Sequence, residues 1–423
     1  MQNPNRFPVD VAGVTGSLAN LALFGGTPRF DRDLFVGTPN IGDREQLMAR
    51  LNDILDRRWL TNNGSYVQQF EDRIIQLTGV KHCITVCNAT IGLELAIRAL
   101  GLTGEVIVPS YTFIASAHAL QWLGIRPVFC DIDPATHNLD PACIEALITP
   151  STTGIMAVNL WGRGCVPREI ERIAERHGLS VIFDSAHAFG CSAAGRMIGN
   201  FGNAEVFSFH ATKFVNSLEG GAIVCNDDAL AARIRTMVNF GFTGLDQVAY
   251  LGTNAKMNEF SAAMGITSLD AMPHFLAVNR GHYRLYQQGL AAIPGIRLID
   301  YDDGEISNYH YIVLEIDEAR LGLSRDDLVG ALWAERVKAR RYFHPGCHLM
   351  EPYRTLDPDA DRRLPATNRV AAQVMLLPNG TAISTEEVRE ICALIEQFSR
   401  DPMAVRIALR KSSSTAEGIG TKS

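Results

Sequence analysis

Apolar and polar positions follow two rhythms along this chain. Over residues 45–55 and 67–77 the apolar residues recur at helical spacing, with the Asn/Gly break of "RWLTNNGS" between them. Beyond Lys81 come short, continuously apolar runs rich in β-branched residues: "HCITVCN", "EVIVPS", "RPVFCDID", "TGIMAVNLWG", "SVIFDSA", "AEVFSFH" and "GGAIVCN". Helical patterns over 90–100, 115–123, 141–147 and 167–177 separate most of them. Strands with no polar face must be covered on both sides, so the pattern predicts an α/β fold: a mostly parallel central sheet with helices on both faces.

A helix near 258–271, followed by "MPHF", predicts a hinge into a smaller C-terminal α+β lobe holding "YHYIVLEID", "DDLVGALWAERV", "VKARRYF" and a last helix over 385–398. The weakly periodic N-terminus reads as an arm, and the polar, Gly/Ser-rich end as disordered. The expected division is an arm over 1–34, a large domain over 35–272, a small domain over 273–400 and a disordered tail over 401–423.

Composition narrows the function. The 423 residues carry a net charge of -7 with no long Lys/Arg run, which argues against a nucleic-acid groove or a polybasic membrane surface. No apolar run approaches the ~20 residues that span a bilayer. Nine cysteines at irregular spacing, with no leader-like segment ahead of them, fit a reducing cytoplasm. Cys83 and Cys87 lack a second pair at zinc-like spacing and read as buried thiols. Pro345 and Gly346 between His344 and His348 argue against a helical metal pair, so no metal is expected.

In parallel α/β sheets ligands collect beyond the carboxyl ends of the strands. There the sequence places Asp184 after "SVIF", Asn88-Ala89-Thr90 after "HCITVC", Tyr111 and Phe113 after "EVIVP", and Ser208 and Lys213 after "AEVF". Each has a plainer reading: Asp184 and Asn88 as helix N-caps, the aromatics as core, the lysine as solvated. One ligand accounts for all of them together, a planar aldehyde-bearing pyridine with a phosphate, namely pyridoxal phosphate. Lys213 among Phe209, Ala211, Phe214 and Val215 is a desolvated amine able to attack the aldehyde as a Schiff-base lysine. Asp184 pairs with the ring nitrogen, Phe113 covers a ring face, and His187 approaches the ring hydroxyl. Ala89, Thr90 and Ser208 offer N–H and hydroxyl groups to the phosphate. Gly220 and Gly221 are expected to turn the chain tightly into the next strand.

The segments "RWLTNNGSYVQQFE", "CNATIGLELAI", "VIVPSYTFIASAHAL", "VIFDSAHAFG", "FSFHATKFVNSLEGGAI", "LGTNAKMNEFSAAMG" and "RRYFHPGCHLMEPY" resemble the DegT/DnrJ/EryC1/StrS family of pyridoxal-phosphate sugar aminotransferases, of the aspartate-aminotransferase fold type I. The resemblance implies the same roles for Lys213, Asp184, His187, Phe113, Ala89, Thr90 and Ser208. It also implies a homodimer with shared active sites, in which Asn254 completes the partner's phosphate site. The family's loop usually reads Ser-Gly-Thr where this chain has Asn88-Ala89-Thr90, acceptable if Ala89 avoids positive φ. Lysine at 213 sets the chain apart from the dehydratase members, which carry histidine there.

The wording around Lys213 is similar to the branch that aminates carbon 4 of nucleotide-linked 4-keto-6-deoxy sugars, with glutamate as donor, 2-oxoglutarate as its product and dTDP-4-keto-6-deoxy-D-glucose as the expected substrate. Arg340, Arg341, Tyr342 and His344 are candidates for the nucleotide. Amination at carbon 3 or of a UDP or GDP sugar, and a non-catalytic cofactor-binding regulator, remain alternatives. A nicotinamide enzyme does not fit, for want of a G-x-G-x-x-G after any strand.

Overall fold

Seven strands build the central sheet: β1 (His82–Val86), β2 (Glu105–Pro109), β3 (Arg126–Cys130), β4 (Thr152–Val158), β5 (Ser180–Asp184), β6 (Ala204–Ser208) and β7 (Gly221–Cys225). Their spatial order is β1-β7-β6-β5-β4-β2-β3. Only β7 runs antiparallel to its neighbours. Described in this computed structural model are residues 18–417; the expectations for 1–17 and 418–423 lie outside the described residues.

Continuous apolarity has the predicted cause. Along β2, Ile107 enters one core while Val106 and Val108 enter the other, and β5 divides Phe183 from Ile182 in the same way. Helices α1 (Ala89–Ala99) and α2 (Ala115–Trp122) cover one face. The helix Ser65–Thr78 and the long α3 (Glu259–Leu290) cover the other. The pattern over 141–147 forms two 3-10 turns, Pro141–Cys143 and Glu145–Leu147, instead of one helix.

Two further expectations are corrected. The helix does not stop at "MPHF": α3 continues through Pro273 for 32 residues. Pro273 lies on the exposed face, while Phe275, Asn279, His282, Tyr283, Tyr286 and Leu290 extend the buried stripe at helical spacing. That burial outweighs the roughly 3 kcal/mol an interior proline costs. The tail is not disordered from 401 either, because Pro402–Glu417 is helical. Asp401 accepts the N–H of Ala404 (3.1 Å), Val405 and Ala408 are buried, and Arg406 pairs with Asp327 and Glu318. A one-sided apolar stripe was hidden there by the polar composition.

A second sheet, β8 (Ile296–Leu298), β9 (Ile312–Ile316) and β10 (Val374–Leu377), is antiparallel in that order. It shares a core with α4 (Arg325–Ala334), α5 (Thr385–Arg400), the end of α3, and Leu18, Leu21, Phe24 and Leu34 from the N-terminal segment. Ser384 starts α5 with a capping box to Glu387. Leu34–Phe35 then pairs with Val337–Lys338, which delivers Val36 and Gly37 to the carboxyl end of the central sheet.

Candidate active site

A cavity of about 280 Å³ opens beyond the carboxyl ends of β1, β5 and β6. Ala89, Thr90, Phe113, Asp184, His187, Ser208, Lys213 and Tyr342 all line it. The other predicted residues do not. Arg340 lies with its guanidinium 5.1 Å from the Tyr342 ring centre, Arg341 pairs with Asp326 at 3.2 Å, and His344 is exposed outside the lining. Asn254 is exposed and accepts a hydrogen bond from Lys256 at 2.8 Å. His348 is buried, bonded to Ser110 at 2.7 Å and Asn368 at 3.1 Å.

Asp184 ends β5 with its carboxylate buried. One oxygen accepts the Ser116 hydroxyl at 2.7 Å and the other the N–H of Ala186 at 3.1 Å. Burial raises its pKa, while those two bonds and the charge of Lys213 oppose the rise. Beneath it, Glu205 accepts the Ser185 hydroxyl at 2.5 Å and the N–H groups of Gly199 (2.7 Å) and Phe201 (2.8 Å), which fixes the turn after Asp184.

Lys213 sits in the loop between β6 and β7, and among the described residues its amine makes no ion pair. Burial lowers its pKa to about 8, with the Asp184 carboxylate working against the drop. His187 is stacked on Trp161 (ring centres 5.6 Å apart, 23°) and accepts the backbone N–H of Trp161 at its Nδ1 (3.4 Å). Burial, then the charge of Lys213, hold its pKa well below normal. A neutral ring that accepts at Nδ1 carries its proton on Nε2.

At the start of α1, Asn88 caps the helix by accepting the N–H of Ile91 at 2.9 Å, which leaves the N–H groups of Ala89 and Thr90 to the cavity. Ala89 is the first residue of the helix and is absent from the left-handed conformations, so its methyl meets the condition set by the sequence. Gly220 and Gly221 act differently from expectation. The left-handed residue of that turn is Leu218 (φ 66°). What the glycines supply is space: a Cβ on Gly221 would lie 2.8 Å from the Ala89 nitrogen and 2.8 Å from the Phe207 oxygen. Gly221→Ala must therefore displace the start of α1, and we expect cofactor affinity to fall roughly ten- to hundredfold, from an overpacking cost of about 1–3 kcal/mol. Titration of the purified variant with pyridoxal phosphate, followed by absorbance, checks this.

The donor set fits pyridoxal phosphate. One cavity joins a partly desolvated amine, a buried carboxylate and a cradle of helix N–H groups with a serine hydroxyl, and Phe113 lies along its wall with 58% of its surface exposed. A family model described as the DegT/DnrJ/EryC1/StrS aminotransferase family matches residues 42–396. The chain belongs to that family. The aminotransferase is 36% identical over 368 residues to the dTDP-4-amino-4,6-dideoxy-D-glucose transaminase of Shigella dysenteriae, covering 87% of this chain and 100% of the relative. It is 34% identical to the GDP-perosamine synthase of Caulobacter vibrioides, over 82% of this chain and 93% of the relative. The solved structure of DesI in the presence of its TDP-sugar product matches with a TM-score of 0.87 and 47% identity, over 93% of this chain and 100% of that one. The aminotransferase is pyridoxal-phosphate-dependent, with the aminotransferase fold anticipated from its sequence.

Several residues at the site escaped sequence reasoning. Leu160, which lines the cavity, and Trp161, which stacks on His187, follow β4 in "NLWG", a strand end where they could have been found. Ser116, which donates to Asp184, was hidden inside an apolar helix pattern. Tyr311 and Phe343 come from the smaller lobe, and nothing local ties them to the cavity. His210 and Glu219 face each other across the lining at 3.6 Å.

Proposed function

We propose that the aminotransferase moves an amino group from glutamate to carbon 4 of a nucleotide-linked 4-keto-6-deoxy sugar, with dTDP-4-keto-6-deoxy-D-glucose as substrate, in deoxyamino-sugar biosynthesis. The observation that carries this reading is the meeting of Lys213 and Asp184 in one cavity. The specificity is drawn from the transaminase of Shigella dysenteriae and from DesI with its TDP-sugar product.

In this reading Lys213 holds the cofactor aldehyde, Asp184 the ring nitrogen, and His187 Nε2–H the ring hydroxyl. Ala89, Thr90 and Ser208 hold the phosphate, and Phe113 flanks the ring. Bound pyridoxal phosphate supplies an electron sink for a carbon that loses its proton. Lys213 Nζ, once free, takes that proton and returns it, and the low pKa given by burial keeps a neutral fraction of the amine for this task near neutral pH. Asp184 stays ionised with the help of Ser116 and Ala186 and so stabilises positive charge at the ring nitrogen. The Trp161 stack holds the His187 ring in place.

Asn254 serves the phosphate site of a second copy, so the working form is a homodimer. Its exposure outside its own cavity supports this, as do the exposed Trp59 (56%), Leu245 (97%) and Leu251 (70%). Tyr342, with Arg340 over its ring, is the nucleotide-facing corner, and Arg341 and His344 lie farther out. The enzyme works in the cytoplasm, a reading supported by nine free thiols. Among the described residues no helix is long and apolar enough to cross a membrane.

The test is purified enzyme with glutamate and a panel of dTDP-, UDP- and GDP-linked 4-keto and 3-keto sugars, read by mass spectrometry and NMR of the product. A 4-amino sugar formed fastest from the dTDP substrate is expected. A product aminated only at carbon 3, or none from any 4-keto sugar, overturns the reading.

A further inference from the structure

Next to the main cavity, and sharing Lys213, His187, Ser208 and Tyr311 with it, lies a small space of about 10 Å³ that Asn308 and His310 also line. That is room for one water. His310 precedes β9, so it reaches this space from the smaller lobe. It is 7% exposed, and its Nε2 lies 3.0 Å from the carbonyl oxygen of Thr212, the residue before the lysine. A carbonyl only accepts, so Nε2 carries the proton and Nδ1 a lone pair. Nδ1 is buried with no partner. A buried acceptor left unpaired is costly, and the donors bounding the space are the His187 Nε2–H, the Ser208 and Tyr311 hydroxyls and the amine of Lys213, of which the amine alone has more than one N–H to give.

We propose that His310 is the positioning residue of Lys213: its Nε2–H anchors the Thr212 carbonyl, and its Nδ1 accepts, through a single water, the hydrogen bond of the lysine nitrogen. The ring remains neutral, because burial lowers its pKa to about 4. It therefore adds no repulsion to an ammonium and offers a resting direction to an amine that must leave and return during turnover. The other titratable groups facing Lys213 are Asp184, His187 and Tyr311, from β5, the turn after it and the smaller lobe. The proposal rests on Lys213 being the working amine, but its test does not depend on which sugar is used.

Two variants separate the two nitrogens of His310 in the loaded enzyme. His310→Gln keeps an amide N–H for Thr212 and loses the acceptor; His310→Asn keeps an acceptor near the Nδ1 position and loses the anchor. Removing an acceptor from a protonated nitrogen lowers its pKa. In His310→Gln the rising limb of the turnover profile, set by the free Lys213 amine, is expected to move below pH 8 and kcat to fall by roughly tenfold, at unchanged KM for glutamate. In His310→Asn the limb stays at the wild-type value. Equal loss of stability in both variants without any shift of the limb overturns the proposal, as does wild-type behaviour in both. In the wild-type enzyme, nitrogen NMR of labelled histidine should find the His310 proton on Nε2, and a proton on Nδ1 overturns it without any variant.

Discussion

Lys213→Ala is expected to abolish the visible absorbance of the resting enzyme and to lower turnover by about 10⁴-fold, the upper range for removal of a proton-transferring group. The magnitude follows from isolation. No other amine lines the cavity, and His210, the nearest alternative base on that loop, faces Glu219 at 3.6 Å. The pH profile offers a second check on the same residue. Burial places Lys213 at about 8, so the neutral amine gains as pH rises and is lost as pH falls through that value. Wild-type turnover should climb through pH 8 and level off above it, and whatever activity Lys213→Ala retains should lack that limb. A variant that kept its absorbance and its rate would remove Lys213 from the chemistry.

Asp184→Asn is the second large effect, with turnover expected to fall about 10²–10³-fold, the range seen when a preorganised electrostatic contact is removed. Asparagine keeps the shape, with its one oxygen accepting from Ala186 and its amide N–H turned to the Ser116 hydroxyl, but it cannot balance positive charge at a ring nitrogen. The same substitution acts on Lys213. The Asp184 carboxylate holds the lysine pKa up against burial, so its neutralisation lowers that pKa further, and the rising limb of the pH profile moves below 8. A variant that merely unfolds would lose activity without moving the limb. A rate within threefold of wild type would contradict the ring-nitrogen role.

The central sheet was legible because each of its strands is apolar on both faces, a pattern few other structures need. The cavity residues at its strand ends were legible for the same reason: Asp184, Ala89, Ser208 and Lys213 are positioned by local strand endings that the sequence displays. The contacts made across the lobes were not. Tyr311, Phe343 and His310 meet the loop of Lys213 only after β9 and the segment following α4 have packed. The helix Pro402–Glu417 and the passage of α3 through Pro273 were missed because a proline and a polar composition were given more weight than a one-sided buried stripe. Of the nucleotide candidates in "ARRYFHP", only Tyr342 reaches the lining, from a turn that the sequence pattern does not display.

Helix α3 bears on how a bulky substrate gets in. At about 1.5 Å per residue its 32 residues form a rod near 48 Å long. Its first turn is tied to the larger lobe, where the carboxylate of Glu259 accepts the N–H groups of Tyr66 (3.0 Å) and Val67 (2.9 Å). Its last turns are sealed into the smaller lobe by Tyr286 and Leu290. A continuous helix shared by two cores resists bending between them, with Pro273, which lacks an N–H, as its one weakened turn. The cavity is also lined by Val36 and Gly37 and by Tyr342 and Phe343, short segments outside the rod, which can shift without bending it.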